Sequence, residues 1–269
     1  VAARRPLSAL LMAVPYLTRV SVVDDRIGSA GDYPFTLAFV RELDLTFDAP
    51  VTFFVGENGS GKSTLIEAIA SVSRLPVSGG GRNELSGGHG PDAASPLAPA
   101  LRPTFRRQPP DAYFLRSEFQ AHFASLLDAR RADPEFVEDP YGRYGGQSLH
   151  TRSHGEAFLA ILQHRIRAGL FIMDEPESAL SPQRQLVLLA HMWQQVAAGT
   201  SQFIIATHSP ILLTFPGADI VSFDGGTLTR VKLEDTSHYQ ITRGILHKPE
   251  SYWKHLRATD DAAAAERTE

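Results

Sequence analysis

The sequence predicts an α/β fold with a mostly parallel sheet flanked by helices, and three observations carry that reading. Five runs, Val51 to Val55, Ala112 to Leu115, Gly169 to Met173, Gln202 to Ala206 and Asp219 to Phe223, are apolar with little polar alternation. Strands of that kind belong to a sheet covered on both faces. Helical patterns over Lys62 to Ser73, Gly155 to Arg167 and Pro182 to Ala198 alternate with these runs, the order expected of parallel βα units. A glycine-rich turn joins the first such strand to the first helix.

In chain order, Arg4 and Arg5 followed by the apolar run Leu7 to Leu17 have the outline of a signal peptide. Pro6 and Pro15 interrupt the run and no small-x-small site follows it, so Tyr16 to Val23 is read as a first strand and Met12 as a candidate natural start. Between Ser78 and Pro110 the chain is rich in Gly, Pro, Ser and Ala and is expected to be a mobile loop, because such a segment buries too little apolar surface to offset its ordering entropy. From Leu101 to Leu170 there are ten arginines and no lysine against eight acids, which reads first as a solvated face and second as a nucleic-acid footprint. Two short helices are expected within Ser237 to Arg257, and Ala262 to Glu269 as a frayed tail.

The whole-chain composition bounds function. The 269 residues, 43% apolar and 21% charged, suffice for a sizeable core. A formal charge of −4 gives no global attraction for nucleic acid or an anionic membrane. The absence of cysteine excludes disulfides and thiolate metal sites and permits a cytoplasmic address. No apolar run approaches the roughly 20 residues needed to span a bilayer, so no membrane insertion is expected.

Two motifs carry chemistry. Gly56-Glu57-Asn58-Gly59-Ser60-Gly61-Lys62-Ser63 fits G-x-x-x-x-G-K-[S/T], and Thr64 follows it. Glycines let successive backbone N–H groups turn inward around phosphate oxygens, and the next helix presents its positive end to the same anion. Lys62 would reach the β- and γ-phosphates, and the Ser63 hydroxyl would ligate Mg²⁺. The second motif is the strand Leu170 to Met173, ending in Asp174 and Glu175. Asp174 at a strand's C-terminal tip can hold Mg²⁺ directly or through water, and Glu175 can orient and deprotonate an attacking water. No other carboxylate and histidine cluster stands at metal-ligand spacing, so nuclease activity finds no support.

Beyond these motifs the residues resemble the ABC-type P-loop ATPases, and more closely their RecF-like stand-alone branch. Pro176, Ser178, Ala179, Leu180 and Ser181 look like the family's Walker B extension and D-loop, and Thr207-His208-Ser209-Pro210 looks like its switch-histidine loop. Ser153-His154-Gly155-Glu156 occupies the place of the signature motif, with Ser153 and Gly155 matching. The same four residues also read as an ordinary capping box. Tyr113 to Gln120 stands at the Q-loop, where Glu118 or Gln120 would face the metal, Glu118 being preferred. Tyr33 and Phe35 are candidates for stacking on adenine or simply for packing.

The resemblance implies a P-loop NTPase, ABC-ATPase-like fold over 16–235, with a small antiparallel β part and a helical signature subdomain over about 116–168. Residues 236–269 would follow as C-terminal helices and tail. It implies Mg²⁺-dependent hydrolysis of ATP, with His208 as a γ-phosphate contact and an ATP-dependent homodimer. In that dimer Ser153 and Gly155 of one subunit bind the phosphate held by the other's Lys62 loop. Fewer than 80 residues separate the helix Lys62 to Ser73 from the signature, and they lack sustained heptads, so long coiled-coil arms are not expected. For the process served, the readings are DNA maintenance or defence with nucleic acid or an effector protein as partner, the ATPase subunit of a transporter, or a slow regulatory module.

Overall fold

The structure is a computed structural model, which describes residues 14–82, 94–116, 120–165, 167–254 and 256. Strand β1 (Leu17–Val22) is followed by β2 (Asp44–Thr46), β3 (Val51–Val55) and helix α1 (Lys62–Val72). Then come β4 (Gly80–Gly81), β5 (Leu101–Phe105), β6 (Ala112–Arg116), α2 (Gln120–Ala132) and α3 (His154–Arg165). The chain continues with β7 (Gly169–Asp174), α4 (Pro182–Ala197), β8 (Ser201–Ala206), β9 (Asp219–Ser222), β10 (Thr229–Val231) and α5 (Ser237–His247), with a further helical stretch over 249–254.

Among the described residues the main sheet has the order β10-β9-β3-β8-β7-β6-β4. Its five inner strands run parallel, and β10 and β4 close the edges antiparallel. The inner strands are apolar at every position because alternate residues enter two different cores. Phe53, Tyr113, Phe171, Met173, Phe203 and Ile205 face α2, α3 and α4. Phe54, Phe114, Leu170, Ile172 and Ile204 face α1 and a second, smaller sheet.

That smaller sheet is antiparallel, in the order β2-β1-β5. It corrects the expectation of loop throughout 78–110, since residues 101–105 form β5 and Gly80 and Gly81 pair with β6. Residues 83–93 lie outside the described part. β5 tolerates Pro103 because it is an edge strand, paired with β1 on one side only, so the missing N–H costs no ladder bond.

A buried side chain joins the two sheets. Gln202 of β8 is fully buried, and its Oε1 accepts hydrogen bonds from the backbone N–H of Tyr16 (2.8 Å) and Leu17 (2.9 Å), while its Nε2 donates to the Leu17 carbonyl (2.9 Å). Its amide thus makes three hydrogen bonds to the backbone where β1 begins. The Tyr16 hydroxyl reinforces the joint by donating to the Thr200 carbonyl (2.8 Å). Replacing Gln202 with Leu leaves three buried backbone groups without partners. The expected cost is about 3–5 kcal/mol, to be read from the urea midpoint at unchanged m-value; a loss below about 1 kcal/mol would show that β1 is held by its strand pairing and packing and not by Gln202.

Candidate active site

The parallel register brings four strand ends to one rim. Phe54 pairs with Ala206, Ala206 with Asp174, and Asp174 with Arg116. Beyond those positions the Thr207 N–H donates to the Phe54 carbonyl (3.0 Å) and the Glu175 N–H to the Ala206 carbonyl (3.0 Å), which extends the alignment past the strands.

From β3 the chain enters the glycine-rich turn. Gly56, Gly59 and Gly61 all have positive φ (145°, 81° and 97°). A Cβ on Gly61 would come within 2.7 Å of the Phe39 ring and 2.9 Å of Leu37, so both backbone angle and space demand glycine there. The turn delivers Lys62 as the first residue of α1, 4% exposed, with Nζ donating to the carbonyls of Gly56 (2.6 Å) and Glu57 (2.9 Å). Burial lowers the Lys62 pKa, and the nearby carboxylates of Glu175, Asp174, Asp224 and Glu57 oppose that shift. The Glu57 N–H donates to the Asp224 carboxylate (3.2 Å) at the end of β9.

Next to Lys62, the Ser63 hydroxyl donates to Asp174 Oδ1 (3.2 Å). Asp174 is 7% exposed, and burial raises its pKa to about 6 despite the Arg116 guanidinium 3.8 Å away. A serine hydroxyl and a buried carboxylate oxygen side by side are hard oxygen donors, the set that suits Mg²⁺. Arg116 also binds Glu67 of α1 at 2.8 Å.

Glu175 sits at φ 46° and ψ 56°, a left-handed conformation costly for a residue with a side chain, and is held there by its backbone bond to Ala206. Its Oε1 lies 3.6 Å from His208 Nε2. The His208 N–H donates to Glu177 Oε1 (2.6 Å), and its Nδ1 is 2.8 Å from Nε2 of His238, at the start of α5. Burial lowers the His208 pKa, with Lys62 and then His238 adding to the shift.

The structure therefore gathers Gly56 to Thr64, Asp174, Glu175 and His208 into one cluster. Ser153 and Gly155 form a second group at the start of α3. There Ser153 Oγ donates to Glu156 Oε2 (2.7 Å), Ser153 N–H donates to the same oxygen (2.9 Å) and Glu156 N–H donates back to Ser153 Oγ (3.4 Å), which is a complete capping box. Gly155 lies under Arg184 and the Ala179 carbonyl; a Cβ would approach the latter to 3.0 Å. Glu118 lies outside the described residues, and Gln120 opens α2. Of the two aromatic candidates, Tyr33 is 62% exposed with its hydroxyl bonded to that of Thr64, whereas Phe35 packs into the core beside α1. The sequence reading missed Arg116, Asp224 and His238. The first two could have been sought at the C-terminal ends of β6 and β9, but nothing local marks His238.

Residues 35–75 match the family model described as "AAA domain", and residues 156–214 match "AAA domain, putative AbiEii toxin, Type IV TA system". Among solved structures, the chain is similar to "an inward-facing conformation of a putative metal-chelate type ABC transporter", at 14% identity and TM-score 0.51, over 84% of this chain and 88% of the other. It is also similar to an ATP-binding cassette of an ABC transporter, at 16% identity and TM-score 0.50, over 85% of this chain and 99% of the other. No curated protein matches. The fold is that of the ABC-type P-loop ATPases, and the two matched segments contain the glycine-rich turn and the Asp174-Glu175 strand end of that class. No helix of the described residues is long and apolar enough to cross a membrane.

Asp174 makes stability depend on pH. Its folded pKa of about 6 stands above the ordinary 3.8, so the native state binds this proton more tightly than the unfolded chain. The resulting stability is present below about pH 4 and lost as pH rises through about 6. With a chelator present, the wild type is expected to gain on the order of 2–3 kcal/mol relative to Asp174→Asn between pH 7.5 and 4.5. Parallel pH profiles in urea denaturation would contradict the assignment.

Proposed function

We propose that this chain binds ATP with Mg²⁺ and hydrolyses it to ADP and phosphate, cycling through a head-to-tail homodimer that sandwiches two ATP molecules. The observation that carries the reading is the convergence of Lys62, the Ser63–Asp174 pair, Glu175 and His208 on one sheet rim. The N–H groups of Gly56 to Ser63 cradle the phosphates, with Thr64 beside them, and Lys62 exchanges its two loop carbonyls for β- and γ-phosphate oxygens. Ser63 and Asp174 hold Mg²⁺, with Glu118 as a further candidate ligand; when bound, the metal neutralises charge developing on the phosphoryl oxygens.

Glu175 accepts a proton from the attacking water. The water oxygen bonds to the γ-phosphorus, and the bond from that phosphorus to the β–γ bridging oxygen breaks, leaving with ADP. His208 Nε2, close to Glu175, donates to the transferring group, and Lys62 stabilises its charge. Ser153 and Gly155, at the N-terminus of α3, engage the γ-phosphate held by the other subunit. For that, Ser153 Oγ turns from Glu156 to the incoming phosphate.

The process we assign to the switch is DNA maintenance or defence in the cytoplasm. The match of residues 156–214 to a model described in terms of a toxin–antitoxin system supports the defence side. ATP-dependent, salt-sensitive association with DNA would support the maintenance side, whereas co-purification with a multi-span membrane protein would replace both with a transporter subunit.

Glu175→Gln is expected to lower Mg²⁺-dependent phosphate release at least about 100-fold while ATP still binds. The variant should also elute as a dimer only with ATP in size-exclusion chromatography. Turnover like that of the wild type would remove Glu175 as the base, and an ATP-bound variant that stays monomeric would remove the sandwich.

A further inference from the structure

His238 lies beyond both segments that match family models, on a helix that no motif announces. Thr236 places it. This residue is 3% exposed, donates through Oγ1 to the Leu233 carbonyl (2.8 Å) and caps α5 by accepting from the Tyr239 N–H (3.3 Å). No residue of α5 is itself buried, and the Thr236 cap fixes the position of its first turn. There the His238 ring stands 5.0 Å from that of His208, centroid to centroid, with Nε2 to Nδ1 at 2.8 Å.

We infer that His238 is a positioning residue that fixes the His208 imidazole with its proton on Nε2, so that the donor is presented to the phosphoryl group. The inference rests on the proposed role of His208 as a γ-phosphate contact. Two nitrogens at 2.8 Å share one proton, so one ring donates and the other accepts.

Suppose first that His208 donated through Nδ1. Its Nε2 would then turn a lone pair toward Glu175 Oε1 at 3.6 Å, and His238 would carry its own proton on Nδ1, which is buried with no hydrogen-bond partner. A lone pair facing a carboxylate and an orphaned buried N–H are both unfavourable. If His238 donates instead, its Nδ1 is only a bare lone pair, and His208 Nε2–H points toward Glu175. His208 Nε2 is buried and has no hydrogen-bond partner, as expected of a donor kept for a group that arrives with the substrate. Burial and the Lys62 charge lower the pKa of both rings, which keeps the pair neutral near pH 7 and makes the tautomer the deciding property.

The test is long-range ¹H–¹⁵N correlation of the imidazoles in the full chain, assigned with His208 and His238 variants, alongside ATPase kinetics. In the wild type, His208 should carry its proton on Nε2 with Nδ1 as acceptor. His238→Phe should release that preference into a mixture of tautomers and lower kcat about 10- to 100-fold, with KM for ATP changed less than about threefold. His238→Gln, whose amide N–H can donate, should retain most of the turnover.

A wild-type spectrum with the His208 proton on Nδ1 would overturn the proposal, and that spectrum decides even if His238→Phe fails to fold. A folded His238→Phe with unchanged tautomer and kcat would overturn it as well. If His208→Ala turned over like the wild type, the phosphate contact itself would fall, and the spectrum would still decide how the two rings are arranged.

Discussion

The site depends on one constraint, the in-register parallel pairing of β3, β8, β7 and β6. Because Phe54, Ala206, Asp174 and Arg116 stand level across the sheet, every chain segment leaving these strands begins its turn at the same height. A slip of one residue in any pair would swap its side chains between the two cores and carry the following turn away from its neighbours. The bonds from Thr207 to Phe54 and from Glu175 to Ala206 carry the alignment one residue past the strands. Glu175 can therefore occupy its left-handed conformation beside His208 without the backbone relaxing.

Within this frame, desolvation outweighs the fixed partners. Asp174 has a guanidinium at 3.8 Å and a hydroxyl donor at 3.2 Å, both of which favour the charged carboxylate, yet burial dominates and its pKa rises. Lys62 shows the mirror image: four carboxylates favour its charge, and burial still lowers its pKa. Acid and base are both held away from their solution preferences in a space whose natural complement carries charge of its own. A site of this kind trades stability of the isolated fold for affinity toward a charged ligand.

The parts legible in sequence were those whose chemistry is local. The glycine-rich turn, the Asp174-Glu175 strand end and the Ser153–Glu156 capping box each lie within a few consecutive residues, and spacing alone reveals them. The apolar strands were legible because burial on both faces removes the alternation that would otherwise blur their limits. β5 was not, because Leu101-Arg102-Pro103-Thr104-Phe105 contains a proline and sits in a Gly/Pro-rich stretch. Only its position at a sheet edge, a tertiary fact, makes it a strand. Arg116 and Asp224 stand where strands read from the sequence end, yet only the pairing of those strands shows that they reach the site, whereas His238 arrives by a helix cap and its sequence neighbours carry no mark of it.

The Gln202 joint also bears on how the chain is made. Tyr16 and Leu17 find their partner 186 and 185 residues further along, and β3 sits between β8 and β9, both more than 145 residues downstream. A ribosome releases the glycine-rich turn long before it releases the strands that flank β3. β3 must therefore wait, apolar and without its sheet neighbours, until β8 and β9 have emerged, whereas β1 meets β2 and β5 much earlier. For a chain with this topology the main sheet closes late, and the interval before it is one in which a holding chaperone would find apolar surface.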